Sequence, residues 1–158
     1  MINKDIYDDI LKQINKGEKK SPFLFLGKNT ELLNSDVRNL GLELLKEFDI
    51  PKNYMYIFED DGKIIKVKDI KEFVDFSNST PPYKFQIFLI ENVSRFNIHA
   101  GNSMLKFFEE PDVTNIIFLT NASESGILDT ILSRVQTINL GGKEIIKKDN
   151  FIYNMIEK

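Results

Sequence analysis

The apolar run Phe88-Leu89-Ile90 ends in Glu91-Asn92, where a pair of acidic residues would hold magnesium and activate water for phosphoryl transfer. Glu91 fills the metal-holding half of such a pair. Asn92 does not fill the other half, because an amide cannot take a proton from water, so hydrolysis at this position is not expected. Taken alone, both are also ordinary strand-end residues. A second piece of phosphate chemistry would lie after Phe23-Leu24-Phe25-Leu26. Phosphate cradling there needs G-x-x-x-x-G-K-[ST], whose backbone N–H groups and lysine meet the phosphates at a helix start. The chain offers Gly27-Lys28-Asn29-Thr30-Glu31-Leu32-Leu33-Asn34, with the lysine directly after the first glycine, no second glycine and no Lys-Ser or Lys-Thr pair. A degenerate loop that binds no nucleotide is the expectation, and weak, unorthodox binding around Lys28 and Thr30 is the alternative.

Ser133-Arg134 follows a short stretch with Ile127, Leu128, Ile131 and Leu132 on its apolar side. An arginine so placed neutralises a helix dipole, pairs with a surface acid, or presents its planar fork to the phosphates of another subunit. These residues alone leave the choice open. Glu109-Glu110 fall in the last turn of a helix stopped by Pro111, where the dipole disfavours negative charge by about 0.3–1 kcal/mol each. Either solvation or a purpose beyond helix stability accounts for the pair. Other chemistries are closed off by composition: with no cysteine and only His99 for an imidazole, no thiolate zinc site, disulfide framework or nucleophilic triad is available. His99 reads as a surface or capping residue, and the lysines of 143–148 as a solvated helix face. Neither a metal nor a cofactor is expected.

The elements that must position these residues follow from periodicity. Ile6, Ile10, Leu11 and Ile14 share one helical face over residues 5–15, with Gly17 as a stop. Residues 23–26 suit a central parallel strand, apolar on both faces. A helix is expected over about 34–48, with Val37, Leu40, Leu44, Leu45 and Phe48 inward. Residues 54–58 read as a strand, Asp60-Asp61-Gly62 as a turn, and 63–67 as extended. Asp69 is the expected N-cap of a helix through Phe76. Residues 77–83 form a polar loop containing Pro81-Pro82, and strands are expected at 85–90, 116–120 and 135–140, with helices at 97–110 and 127–132. Alternation of this kind gives a parallel sheet covered on both faces, with its ligand crevice beyond the strand carboxyl ends. Gly27, Glu91, Asn92, Thr120 and Asn121 all fall at that edge.

With 158 residues, 42% of them hydrophobic and 28% charged, the chain suits one globular domain large enough to bury a core without staples. That domain is expected over 1–140. Gly141-Gly142 then reads as a hinge before a terminal helix over 143–156, the start of a further domain. The net charge of −3 provides no global attraction to nucleic acid. No stretch approaches the roughly 20 apolar residues of a membrane span, and residues 1–11 carry acids where a signal peptide would carry a basic flank. A cytoplasmic protein with no membrane contact is the expectation.

Taken in order, Phe88-Leu89-Ile90-Glu91-Asn92, Asn102-Ser103-Met104-Leu105-Lys106-Phe107-Phe108-Glu109-Glu110-Pro111, Ile117-Phe118-Leu119-Thr120-Asn121 and Ile131-Leu132-Ser133-Arg134-Val135 resemble the AAA+ clamp-loader family. Family members carry N-A-L-L-K-x-L-E-E-P before the sensor 1 strand and Ser-Arg-Cys after it; here valine stands in place of the cysteine. Lys52-Asn53-Tyr54-Met55-Tyr56 is similar to the H-P-D-Y-x segment of the family. The resemblance implies a three-layer α/β P-loop-NTPase-like fold of the RecA type with a degenerate P-loop, corresponding to the first domain of such proteins. It further implies a non-catalytic clamp-loader subunit in DNA replication. In that reading Arg134 completes a neighbouring ATPase site with Ser133 as its support, Thr120 or Asn121 is the sensor 1 position, and Glu91-Asn92 occupies the Walker B place. Its implied partners are clamp-loader ATPase subunits and the sliding clamp, with primed DNA reached only through the complex. The family's four-cysteine zinc module is absent from the sequence. A clamp-binding module without an ATP role, using residues 77–83 with Phe76 and Tyr83, is a second expectation.

Overall fold

The computed structural model describes residues 2–140; the expected hinge at Gly141-Gly142 and the helix over 143–156 lie outside the described residues. Helix α1, Lys4–Lys16, starts at Asn3, whose side chain accepts from the Asp5 N–H, and ends at Gly17 in the left-handed region with φ 70°. Strand β1, Phe23–Leu26, is buried along its whole length. Helix α2, Thr30–Glu47, begins one turn earlier than its apolar pattern indicates, because the Asn29 side chain accepts from Leu32 N–H and provides a cap ahead of the first inward residue.

Strand β2, Met55–Phe58, is followed by the Gly62 turn. The 63–67 segment forms no strand; it makes a single bridge through Ile65 to Phe96. Helix α3, Val67–Asp75, starts two residues before Asp69, which therefore is not the N-cap. Its carboxylate instead reaches back to accept the Lys66 N–H at 2.9 Å, completing the helix start from the third position. Strand β3, Gln86–Ile90, leads to two short helices, α4, Ile98–Ser103, and α5, Leu105–Glu109, in place of the one expected over 97–110. The break falls at Met104, whose buried side chain enters the core. Strand β4, Asn115–Asn121, helix α6, Asp129–Leu132, and strand β5, Gln136–Asn139, complete the described residues.

All strand pairs are parallel, in the order β2-β3-β4-β1-β5. The route from β1 to β2 passes over one face of the sheet and the later connections over the other. Strand residues accordingly alternate between two cores. Phe23, Phe25, Ile87, Leu89, Ile116 and Phe118 pack under α1 and α2. Leu24, Leu26, Phe88, Ile90, Ile117 and Leu119 pack under α3 to α6. This is the three-layer sandwich that the doubly apolar strands require. At the amino edge of the sheet, buried Gln86 donates to Asn115 Oδ1 and to the Ser79 carbonyl, each at 2.9 Å, which ties down the loop after α3.

Candidate functional site

The register Leu26↔Asn121 and Ile90↔Leu119 brings Gly27, Glu91, Asn92, Thr120 and Asn121 together at the carboxyl edge, as expected from sequence. Only Gly27, Lys28 and Asn29 connect β1 to α2. This connection is three residues long, whereas the phosphate-binding motif runs over eight, its Lys-[ST] pair opening the helix. Gly27 is buried, and a Cβ there would touch Leu33 Cδ1 at 3.4 Å, so the first turn of α2 packs against the end of β1. At the helix start the Asn29 side-chain oxygen takes the Leu32 N–H at 3.1 Å, and Glu31 adds a negative charge. Lys28 is exposed and Thr30 half-buried.

Glu91 is 2% exposed, and its carboxylate faces a residue that sequence reasoning missed. Arg38, from the third turn of α2, donates from Nε to Glu91 Oε2 at 2.7 Å and from Nη2 to Oε1 at 2.9 Å. The Asp60 N–H adds a third donor at 3.2 Å. Glu91 first, then Glu59, pushes the Arg38 guanidinium further into its charged range. Both oxygens of the Glu91 carboxylate are thus engaged by one guanidinium. Arg38 and Glu91 are 53 positions apart, and no local pattern links them.

Asn92 adopts the left-handed conformation at φ 53°, which asparagine tolerates better than most residues. Its side-chain amide donates to Asp60, and its Oδ1 is buried without a partner. Asp60 also binds Arg95. Burial raises the Asp60 pKa, but the Gly62 N–H, Arg95 and Asn92 together outweigh it and hold the carboxyl below its ordinary range. Thr120 accepts from the Asn92 N–H at 3.1 Å and donates to Asn34 Oδ1 on α2 at 2.6 Å. Asn121 accepts from Ser94 N–H at 3.1 Å and donates to the Ser123 carbonyl at 2.8 Å. A cleft of about 590 Å³ opens beside these groups, with Glu31, Glu59, Asp60 and Glu91 facing it against the single cation Arg38. The lining is acidic in sum, with Arg38 paired to Glu91 and Glu59 and Asp60 paired to Arg95 from outside it.

Ser133 and Arg134 lie elsewhere. Because Gln136 pairs with Phe23 at the start of both strands, Arg134 belongs to the amino edge, a strand length away from Glu91 and Asn121. Four strand residues at about 3.3 Å each make that separation roughly 13 Å. Arg134 Nη1 donates to the Thr130 carbonyl at 2.7 Å and to Ser133 Oγ at 3.4 Å. Nε and Nη2 both donate to Glu109 Oε2, at 3.1 and 2.8 Å. This pairing gives Glu109 its reason for standing at a helix end. His99 is exposed in the first turn of α4, while Asn97 supplies the cap. Among the described residues no group of acids and histidines forms a metal cluster, and no helix is long and apolar enough to cross a membrane.

The chain is 31% identical over 85 residues to DNA polymerase III subunit delta' of Bacillus subtilis, a match covering 53% of this chain and 26% of that protein. It is 31% identical over 115 residues to DNA polymerase III subunit gamma of Buchnera aphidicola, covering 65% of this chain and 31% of that one. These matches span about a quarter to a third of the length of the two curated relatives. The fold matches the crystal structure of a DNA polymerase III, gamma subunit-related protein from Thermotoga maritima, with a TM-score of 0.72 at 24% identity over 89% of this chain and 49% of that one. A family model described as DNA polymerase III, delta subunit, matches residues 46–144, more than half of the chain. On that match the chain belongs to the DNA polymerase III delta-subunit family of clamp-loader proteins.

Proposed function

We propose that the chain is a non-catalytic clamp-loader subunit that completes the ATP site of a neighbouring ATPase subunit with Arg134. The observation that carries this reading is the placement of Arg134 at the sheet edge opposite Glu91, Asn92 and Asn121. From there the guanidinium cannot reach the nucleotide position of its own chain, but it can face one presented by another. Held by Thr130 and Ser133, the fork is oriented before any partner arrives, as stabilisation of developing charge in phosphoryl transfer requires.

The home site supports the non-catalytic half of the proposal. Its three-residue loop, the Arg38 fork on Glu91 and the amide at Asn92 each replace something hydrolysis needs. Its partners are ATPase subunits and, through them, the sliding clamp and primed DNA. Mixing the chain with those subunits and the clamp tests the reading: Arg134→Ala is expected to abolish the stimulation of hydrolysis that the parent chain provides, and full stimulation by the variant would refute it. Calorimetry with millimolar ATP and magnesium is expected to show no binding heat, whereas saturable heat would favour an unorthodox NTPase.

A second reading, a clamp-binding module, is favoured by the 46% exposure of Phe76 and 38% exposure of Tyr83, which flank the loop after α3. Unchanged capture of the clamp after alanine replacement of both aromatics would remove it.

A further inference from the structure

We propose that Glu109 is an intramolecular placeholder for the phosphate group that Arg134 takes from a partner's nucleotide, which rests on the trans role given above to that arginine. The guanidinium has two working edges, and they are occupied differently. Nη1 is bound to the Thr130 carbonyl and Ser133 Oγ, both on or beside α6, so its direction is set by the helix that carries it. The Nε–Nη2 edge, the one that grips carboxylates and phosphates in a fork, meets a single oxygen of Glu109.

Glu109 is poised to leave. Its side chain is 57% exposed against 29% for Arg134, so the carboxylate lies on the solvent side of the pair. An exposed pair of this kind contributes little to stability. A phosphate brings more oxygens and more charge to the same edge, and the Thr130 and Ser133 contacts persist while it replaces the carboxylate. The free chain thereby keeps its arginine neutralised and aimed, and the partner's nucleotide has to displace Glu109.

The consequence is a competition that can be read as a concentration. With the full chain titrated into its ATPase partner in the presence of clamp and primed DNA, Glu109→Gln is expected to lower the half-stimulating concentration by about two- to five-fold, the range of an exposed ion pair, with the plateau rate retained. Glu110→Gln removes the same charge one residue away, from a side chain outside the hydrogen bonds and ion pair of the guanidinium, and is expected to move the midpoint by less than half as much. Both glutamates are exposed, and Glu109→Ala serves as a second variant, with thermal melts confirming the fold of each. An unchanged or raised midpoint in the Glu109 variants, or an equal shift in Glu110→Gln, overturns the placeholder role. Full stimulation by Arg134→Ala would instead overturn the trans role itself, so the two failures are distinguishable.

Discussion

Replacing Arg38 by alanine should be among the most damaging single changes outside the apolar core. The Glu91 carboxylate is 2% exposed and receives three donors, two of them from Arg38 at 2.7 and 2.9 Å. Without Arg38 it retains only the Asp60 N–H, and breaking a buried pair by removing one partner costs about 3–5 kcal/mol because the surviving charge stays desolvated. The Arg38 side chain is 34% exposed, so water enters where it stood and places the cost at the lower end, about 3 kcal/mol. In urea, with a denaturant slope of about 2 kcal/mol/M, the midpoint should fall by roughly 1.5 M. The double variant Arg38→Met, Glu91→Leu removes both charges and should recover most of the loss, since an apolar pair of similar volume is often as stable as a buried ion pair. A single-variant loss below about 0.5 kcal/mol, within the range of ordinary surface changes, would refute the reasoning. So would a double variant no more stable than the single one.

Further predictions concern the supports of the two sites. Asn29→Ala should cost about 1 kcal/mol by removing the α2 cap, read from chemical denaturation; an unchanged stability would move the helix start to where the apolar pattern alone puts it. Asp60 has a folded pKa held below its ordinary value of 3.8, so its contribution is present above that value and lost as pH falls through the folded one. Asp60→Asn should therefore be less stable near neutrality and show a flatter acid limb as pH falls below that ordinary value, and a variant as acid-sensitive as the parent would contradict this. Gly101→Ala would set a Cβ 2.4 Å from Leu128 Cδ1. Overpacking of this kind costs about 1–3 kcal/mol and should lower Tm by several degrees while shifting α6, and an unaltered melt would show that Leu128 yields freely.

Much of the frame was legible because it depends on local period. The apolar runs at 23–26 and 87–90 suited strands buried on both faces, and they lie in such strands, Phe23–Leu26 and Gln86–Ile90. What the period obscured was how helices begin and break. The inward residues of α2 start at Leu33, yet the helix starts at Thr30, and Asn29 followed by Thr-Glu was the signal. Asp69 looked like a cap because it is an acid before an apolar stripe, but an acid at the third position does related work from inside the helix. The strand-end cluster was legible through topology alone, since parallel strands bring their carboxyl ends together.

The ion pairs at the two edges of the sheet were not legible. Arg38 to Glu91 and Arg134 to Glu109 join residues 53 and 25 positions apart, and nothing in a linear pattern specifies which charges meet across a folded surface. The second pair also revises how Glu109-Glu110 is understood. Their unfavourable place at a helix end was visible in the sequence, whereas the reason for one of them, an arginine delivered by α6, was not.

We propose above that this chain performs no hydrolysis and supplies one guanidinium to a neighbour. Single-turnover hydrolysis at the neighbour's nucleotide site, with the parent chain or Arg134→Lys in stoichiometric complex, tests it most directly. Lysine keeps the charge but loses the planar fork, and an arginine finger is worth about 10³-fold or more in rate. The account predicts a fall approaching that size with the complex intact. An unchanged rate in an intact complex would contradict it.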